Sequence, residues 1–182
     1  MARGGSATYV AFLRGINVGR AKQVSMADLR EAVEGAGFED VRTVLRSGNV
    51  VLRGSGSGTA VARKLEPAIE ARTGHAVTVV VRTADELARV ITKNPLPGHE
   101  QDRSRLHVMF LGQELSAKER GRLHEEDFGA DRVEPADREV YVWYANGMSG
   151  SDTAGRLARL VTTPNTDRNW NTVQRVRAAF EA

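Results

Sequence analysis

The chain has 182 residues, 41% of them hydrophobic, which is enough apolar material for one large core or two small ones. It contains no cysteine, which excludes disulfide bonds, thiolate nucleophiles and cysteine-ligated metal sites. The formal net charge of +3 is too small to indicate a polyanionic partner by itself.

The N-terminal part predicts a strand, a glycine-bearing loop and a helix. The apolar run 8–13 is β-rich and ends at Arg14. It is too short for a signal peptide or a membrane span, so we expect a soluble, cytoplasmic protein. Ser25 stands at an N-cap position before apolar residues at helical spacing, which predicts a helix that ends at Gly37.

A hairpin, a second helix and another strand follow in the first half. The apolar segments 41–45 and 50–52 flank a turn over 47–49, a pattern typical of a β-hairpin. Helical spacing from residue 60 to Gly74 predicts the helix. A continuous apolar run over 77–81 predicts the strand.

A further helix over 83–91 ends the first half. The second half predicts similar elements in a similar order, namely a strand over 106–111, a polar helix over 116–126, strands at Val133 and 140–144, and helices over 151–161 and 169–180. The Pro- and Gly-rich stretch 94–98 separates the halves, which predicts domains over 1–93 and 94–182. We expect an α+β protein of two ferredoxin-like βαββα units, with antiparallel sheets packed against helices.

Three short motifs carry a family resemblance. They are residues 9–19 (YVAFLRGINVG), 46–50 (RSGNV) and 168–173 (RNWNTV). With Met26 and Leu29 they make the chain similar to the bacterial DUF1697 proteins over nearly its whole length. The resemblance implies a duplicated ferredoxin-like fold and no activity, because the family is one of unknown function. Its pattern has glutamine where this chain has Arg46.

The loop after the first strand is a candidate phosphate site. Gly15 and Gly19 allow backbone N–H groups to point toward one place, and Arg14, Arg20 and Lys22 add positive charge. The spacing matches neither the Walker A motif nor the dinucleotide fingerprint. The same glycines also fit simple turn chemistry, and both interpretations remain open.

The hairpin turn and the last helix supply further candidates. Ser47 and Asn49 either shape the tight turn or line the same surface as the loop, unless the two lie at opposite ends of the sheet. Arg168, Asn169 and Trp170 open the last helix, where a donor-rich first turn favours an anion. The alternative is that the indole packs into the core, with Asn165 or Thr166 capping the helix.

Other chemistry is not indicated by spacing. The four histidines are widely separated, so we predict no metal site and no cofactor, and we expect His107 to be a satisfied core or edge residue. The segment 146–151 resembles the first loop in position, which predicts two loops facing one cleft between the units. Neither Ser149 nor Ser151 lies in a nucleophile motif.

Three functions remain open. The first is a module that binds a phosphate-bearing ligand, either nucleic acid or a nucleotide-like molecule, because residues 1–93 carry 14 basic and 9 acidic side chains. The second is an enzyme that uses Asn17 with Ser47, Asn49, Arg168 and Asn169 at the cleft. The third is a protein-interaction or structural role. An aromatic content of 5% argues against base stacking on RNA.

Overall fold

A computed structural model describes residues 5–19 and 22–181. The strands of the described residues are β1 (Ala7–Leu13), β2 (Glu39–Val44), β3 (Asn49–Gly54), β4 (Val79–Thr83), β5 (Leu106–Leu111), β6 (Arg132–Pro135), β7 (Glu139–Trp143) and β8 (Asn165–Asn169). The helices are α1 (Met26–Gly35), α2 (Gly58–Thr73), α3 (Ala84–Thr92), α4 (Ala117–Glu125), α5 (Thr153–Leu160) and α6 (Trp170–Glu181), with short 3₁₀ turns at His99–Gln101 and Met148–Gly150.

The strands form two antiparallel sheets with the same topology. The orders are β2-β3-β1-β4 and β6-β7-β5-β8, each made by a strand, a helix, a hairpin, a helix and a last strand. This is the ferredoxin-like βαββαβ arrangement. The predicted fold class is therefore confirmed, and each unit closes with a fourth strand.

The chain divides into two compact units. Unit 1 comprises Met1–Arg89 and Arg175–Ala182, and unit 2 comprises Val90–Gln174. The division at residue 93 stays a prediction. Within the described residues, no helix is long and apolar enough to cross a membrane.

Serine side chains cap the first turns of α1 and α4. The Ser25 hydroxyl accepts the Asp28 N–H at 3.0 Å, so α1 begins where the sequence predicts it. Ser116 and Glu119 form a reciprocal capping box at the start of α4. The predicted C-cap at Gly37 falls one residue late, since Ala36 is the C-cap.

Each unit buries the helix-facing side of its sheet. In unit 1, alternate residues of β1 pack with apolar residues of α1 and α2, among them Tyr9, Ala11, Leu13, Leu29, Val33, Leu65 and Ile69. In unit 2, Met109 and Leu111 of β5 pack with Leu123 of α4 and Leu157 of α5. The period of two along the strands and near four along the helices produces both cores.

Corresponding strands of the two units pair in the same register. Val10 of β1 pairs with Val51 and Arg82, and in unit 2 Val108 of β5 pairs with Tyr141 and Arg168. Both arginines are buried at the fourth position of the last strand. In both, Nη1 donates to the carbonyl of the preceding residue. The shared details support a duplicated fold.

The strand β8 corrects the predicted start of the last helix. Asn165 and Thr166 pair with Leu111 and Phe110 of β5, so neither caps α6. The cap is Asn169, whose Oδ1 accepts the Thr172 N–H at 3.0 Å. The sequence of β8, NTDRN, has no apolar residue, and so lacks the alternation that marks a strand.

A buried carboxylate joins α4 to the segment that leads into β8. Glu119 accepts hydrogen bonds from backbone N–H and hydroxyl groups of Ser116, Thr162 and Thr163, at 2.7 to 3.2 Å. Burial by itself would raise the pKa of Glu119, but these donors outweigh it and hold the pKa well below its ordinary value of about 4.5.

We expect Glu119→Ala to lower the free energy of unfolding by about 2–4 kcal/mol, because buried donors lose their acceptor. Urea unfolding measures the loss, and Glu125→Ala, at an exposed position of α4, is the control with about 0.5 kcal/mol or less. Because the folded pKa is depressed, the advantage of Glu119 is present above pH 4.5 and disappears as the pH falls. An equal loss in both variants would contradict this role.

Candidate anion-binding site

Three connections of unit 1 meet at one end of its sheet. The Leu13 N–H donates to the Gly48 carbonyl at 2.8 Å, and the Arg14 N–H donates to the Thr78 carbonyl at 2.9 Å. The end of β1 therefore lies beside the start of β3 and the start of β4. The first loop and the hairpin turn therefore lie at the same end of the sheet. They do not lie at opposite ends, which the sequence had left possible.

Asn17 fastens the loop to the hairpin turn. Its Nδ2 donates to the carbonyls of Val24 at 3.0 Å and Arg46 at 2.8 Å, and its Oδ1 accepts the Val24 N–H at 2.9 Å. The backbone at Asn17 has a φ of 54°, which asparagine tolerates better than most residues. One carboxamide thus closes the loop and attaches it to the turn.

The loop and the turn also contact each other through Ile16 and Gly48. Ile16 is buried, and a Cβ on Gly48 would lie 2.7 Å from Ile16 Cγ1. Gly48 also has a φ of +80°. Both the space and the backbone therefore require glycine here.

Asn49 holds the hairpin closed from inside. It is fully buried, and its Nδ2 donates to the Val44 carbonyl at 2.8 Å and to Ser47 Oγ at 3.1 Å. Ser47 itself is exposed. Asn49 thus has a structural role in the turn, whereas the Ser47 hydroxyl lies at the surface near the loop.

An open groove of about 450 Å³ lies on the β4 side of the loop. It is lined by Arg14, Gly15, Lys22, Ala76, Val77 and Thr78. The Lys22 ammonium donates to the Ala76 carbonyl at 2.9 Å, which fixes the side chain across the groove. Arg20, predicted with them, lies outside the described residues.

The groove end is electropositive. Arg14, Lys22 and Arg46 are all exposed, and none forms an ion pair within residues 5–19 and 22–181. The carboxylate of Glu66 accepts the Val79 N–H at 2.9 Å and so satisfies the first amide of β4. Cations that form no ion pair with the described residues favour an anionic ligand at the groove.

The other predicted ligand residues lie in unit 2, at the junction of β8 and α6. Arg168 is buried, and its Nη1 donates to Thr166 Oγ1 at 2.7 Å and to the Asp167 carbonyl at 2.6 Å. Burial lowers the pKa of Arg168 to about 10 against the charge of Asp167, so the guanidinium remains protonated at pH 7. Trp170 is buried, and Asn169 caps α6.

The segment 146–151 has a different topological place from the first loop. It lies between β7 and α5, which matches the connection from β3 to α2 in unit 1. The counterpart of the first loop is the short connection 112–116 between β5 and α4. Ser151 donates to the buried carboxylate of Asp131, which also accepts the Ala145 N–H at 2.8 Å. The segment thus lies between a strand and a helix, as predicted, without being the topological counterpart of the first loop. The shared cleft stays a prediction.

Unit 2 contains a histidine–aspartate pair that the sequence did not predict. His107 Nδ1 lies 2.6 Å from Asp167 Oδ1, and Nε2 lies 3.1 Å from the Ser104 carbonyl. Both neighbours are acceptors, so an imidazolium that donates from both nitrogens satisfies them. The ring has no free nitrogen to act as a general base. As predicted, His107 is a satisfied core residue.

No group of three or more histidine, aspartate or glutamate side chains suited to a metal ion occurs in the described part of the chain.

The two sheets of the same strand order define a duplicated ferredoxin-like α+β protein. The model of a family described as "Protein of unknown function (DUF1697)" matches residues 7–141, and the chain belongs to this family. Its structure is similar to that of a conserved bacterial protein from Streptococcus pneumoniae, with a TM-score of 0.78 and 18% identity over 98% of this chain and 100% of that chain. That likeness concerns the fold alone. None of the curated proteins matches the chain.

We expect the His107 ring to titrate above its ordinary pKa of 6.5. Burial lowers this pKa, but the hydrogen bond and charge of Asp167, with the Ser104 carbonyl, outweigh it. In Asp167→Asn the imidazole pKa should fall, because burial then dominates. NMR titration of the ring measures this, with His124, exposed on α4, as the internal control.

The same pair makes stability depend on pH. Because the folded pKa is raised, the contribution of His107 is fully present below pH 6.5 and is lost as the pH rises through the folded value. The stability difference between the wild type and Asp167→Asn should therefore shrink at alkaline pH. A pKa of His107 that is the same in both proteins would contradict the pairing.

Proposed function

We propose that this protein is a binding module for a phosphate-bearing or other anionic ligand, held in the groove of unit 1. The observation that carries the proposal is the exposed Arg14 guanidinium, which has no ion-pair partner in the described residues and lines a polar groove together with Lys22. A cation in such a position is available to a ligand.

The two cations are suited to different parts of a phosphate group. The planar guanidinium of Arg14 presents a fork of N–H donors that matches two phosphate oxygens. The Lys22 ammonium has three protons, one of which is directed at the Ala76 carbonyl, so two remain for a ligand. The Thr78 side chain adds a hydroxyl to the lining.

The lining favours a compact ligand over single-stranded nucleic acid. None of the described residues that line the groove is aromatic, whereas proteins that bind single strands stack bases on aromatic rings. Recognition would therefore depend on the phosphate group. The predicted contribution of Arg168, Asn169 and Trp170 to the ligand site stays a prediction.

Binding is favoured over catalysis by the same lining. The lining residues that the structure describes include no histidine or carboxylate for proton transfer, so Thr78, which carries a hydroxyl, has no base beside it among them. The enzymatic alternative and the protein-interaction or structural alternative stay predictions.

Arg14→Ala should weaken the binding of pyrophosphate or ATP by about tenfold, because a charge-assisted contact to phosphate is lost. Isothermal titration calorimetry at low ionic strength measures the affinity, and the wild-type affinity should fall as salt rises. The matched control is Arg63→Ala, which removes the same charge from an exposed position of α2.

The control should bind like the wild type. The proposal fails if no anion binds at low salt, or if both arginine variants weaken binding equally. Equal weakening would indicate net charge, with no defined site.

A further inference from the structure

The hairpin side of the same loop end carries exposed apolar side chains. Val18 is 67% exposed and Leu45 is 38% exposed. Among the described residues the other large hydrophobic residue exposed to this degree is Met148, in unit 2. Exposed apolar residues that lie together indicate an interaction surface.

A hydrogen bond joins the chain neighbours of Val18 and Leu45. Asn17 Nδ2 donates to the Arg46 carbonyl at 2.8 Å. Asn17 directly precedes Val18, and Arg46 directly follows Leu45. The loop and the turn are therefore joined at the positions next to the two apolar side chains. We call Val18, Leu45 and Arg46 the knob surface.

Leu45 is costly for the fold at this position. Its φ is 61°, in the left-handed region where a branched, bulky side chain is disfavoured. Glycine or asparagine would adopt this backbone more readily. Leu45 nevertheless leaves 38% of its surface exposed in this strained turn, and strain of this kind clusters at functional positions.

Charge restricts the kind of partner. Arg46 is exposed beside the apolar pair, and Arg14 and Lys22 lie on the other side of the same loop. Two copies of this chain that met through the knob surface in a twofold dimer would bring these like charges together. A complementary partner is acidic and offers apolar contact.

We propose that the knob surface docks an acidic polypeptide that carries apolar side chains, with Val18 and Leu45 inserted among them. This goes beyond the phosphate groove, which lies on the β4 side of the loop. Aliphatic knobs do not stack on bases, which disfavours nucleic acid. Two aliphatic side chains without an aromatic neighbour give a lipid surface little area to bury.

The test compares two model polypeptides that differ in apolar content. Poly-L-glutamate and a random glutamate–leucine copolymer are titrated against the full chain by fluorescence anisotropy. We expect the copolymer to bind about tenfold more tightly. This preference should disappear in the double variant Val18→Ser, Leu45→Asn, while the affinity for pyrophosphate remains unchanged.

Two controls separate docking from folding. Met148→Ser removes the comparably exposed side chain of unit 2 and should leave the preference intact. Leu45→Asn alone should keep or raise the melting temperature, because asparagine tolerates the left-handed backbone. A lower melting temperature would show that Leu45 serves the fold and would overturn the proposal.

Other binding results also overturn it. They are equal affinity for the two polymers, no binding of the copolymer, and self-association that depends on Val18 and Leu45. Binding of phosphatidylserine vesicles or a DNA oligonucleotide that requires the same two side chains would assign the surface to a membrane or to nucleic acid. The groove is tested separately, by the weaker binding of pyrophosphate expected in Arg14→Ala.

Discussion

The Asn17 carboxamide is the contact on which the candidate site depends. It bridges the Val24 and Arg46 backbones, and so holds a loop that carries Arg14 and Lys22 against a turn that carries Arg46. The cations of the loop and the turn repel each other, and the Asn17 carboxamide, which is neutral and has both donors and an acceptor, joins the two segments. The groove and the knob surface both follow from this attachment.

A difference between the two units explains why the candidate site lies in unit 1. Both units share the strand order and the buried arginine at the fourth position of the last strand. They differ in the connection after the first strand, which spans 14–25 in unit 1 and 112–116 in unit 2. The extra length gives unit 1 a loop that reaches both the hairpin turn and the β4 side, whereas the shorter connection leads directly to the Ser116 cap.

Elements with apolar periodicity were predictable from the sequence, and so was the α+β class. The strand β8 was not, because its buried residues are polar and its burial comes from pairing with β5. The roles of Asn17 and Asn49 could not be predicted either, because a side-chain amide can form hydrogen bonds equally well with a ligand or with a backbone carbonyl. His107 and Asp167 are 60 positions apart, and strand order alone brings them together. Local patterns predict elements, whereas these contacts depend on which strands become neighbours.

Amide hydrogen exchange in Asn17→Ala tests the central claim most directly. If the carboxamide joins loop and turn, the Val24 amide and the Leu13 amide, which donates to the Gly48 carbonyl, should both exchange about tenfold faster or more. Amides in the middle of β1 should keep their protection. Faster exchange at Val24 alone, or at neither position, would contradict the account.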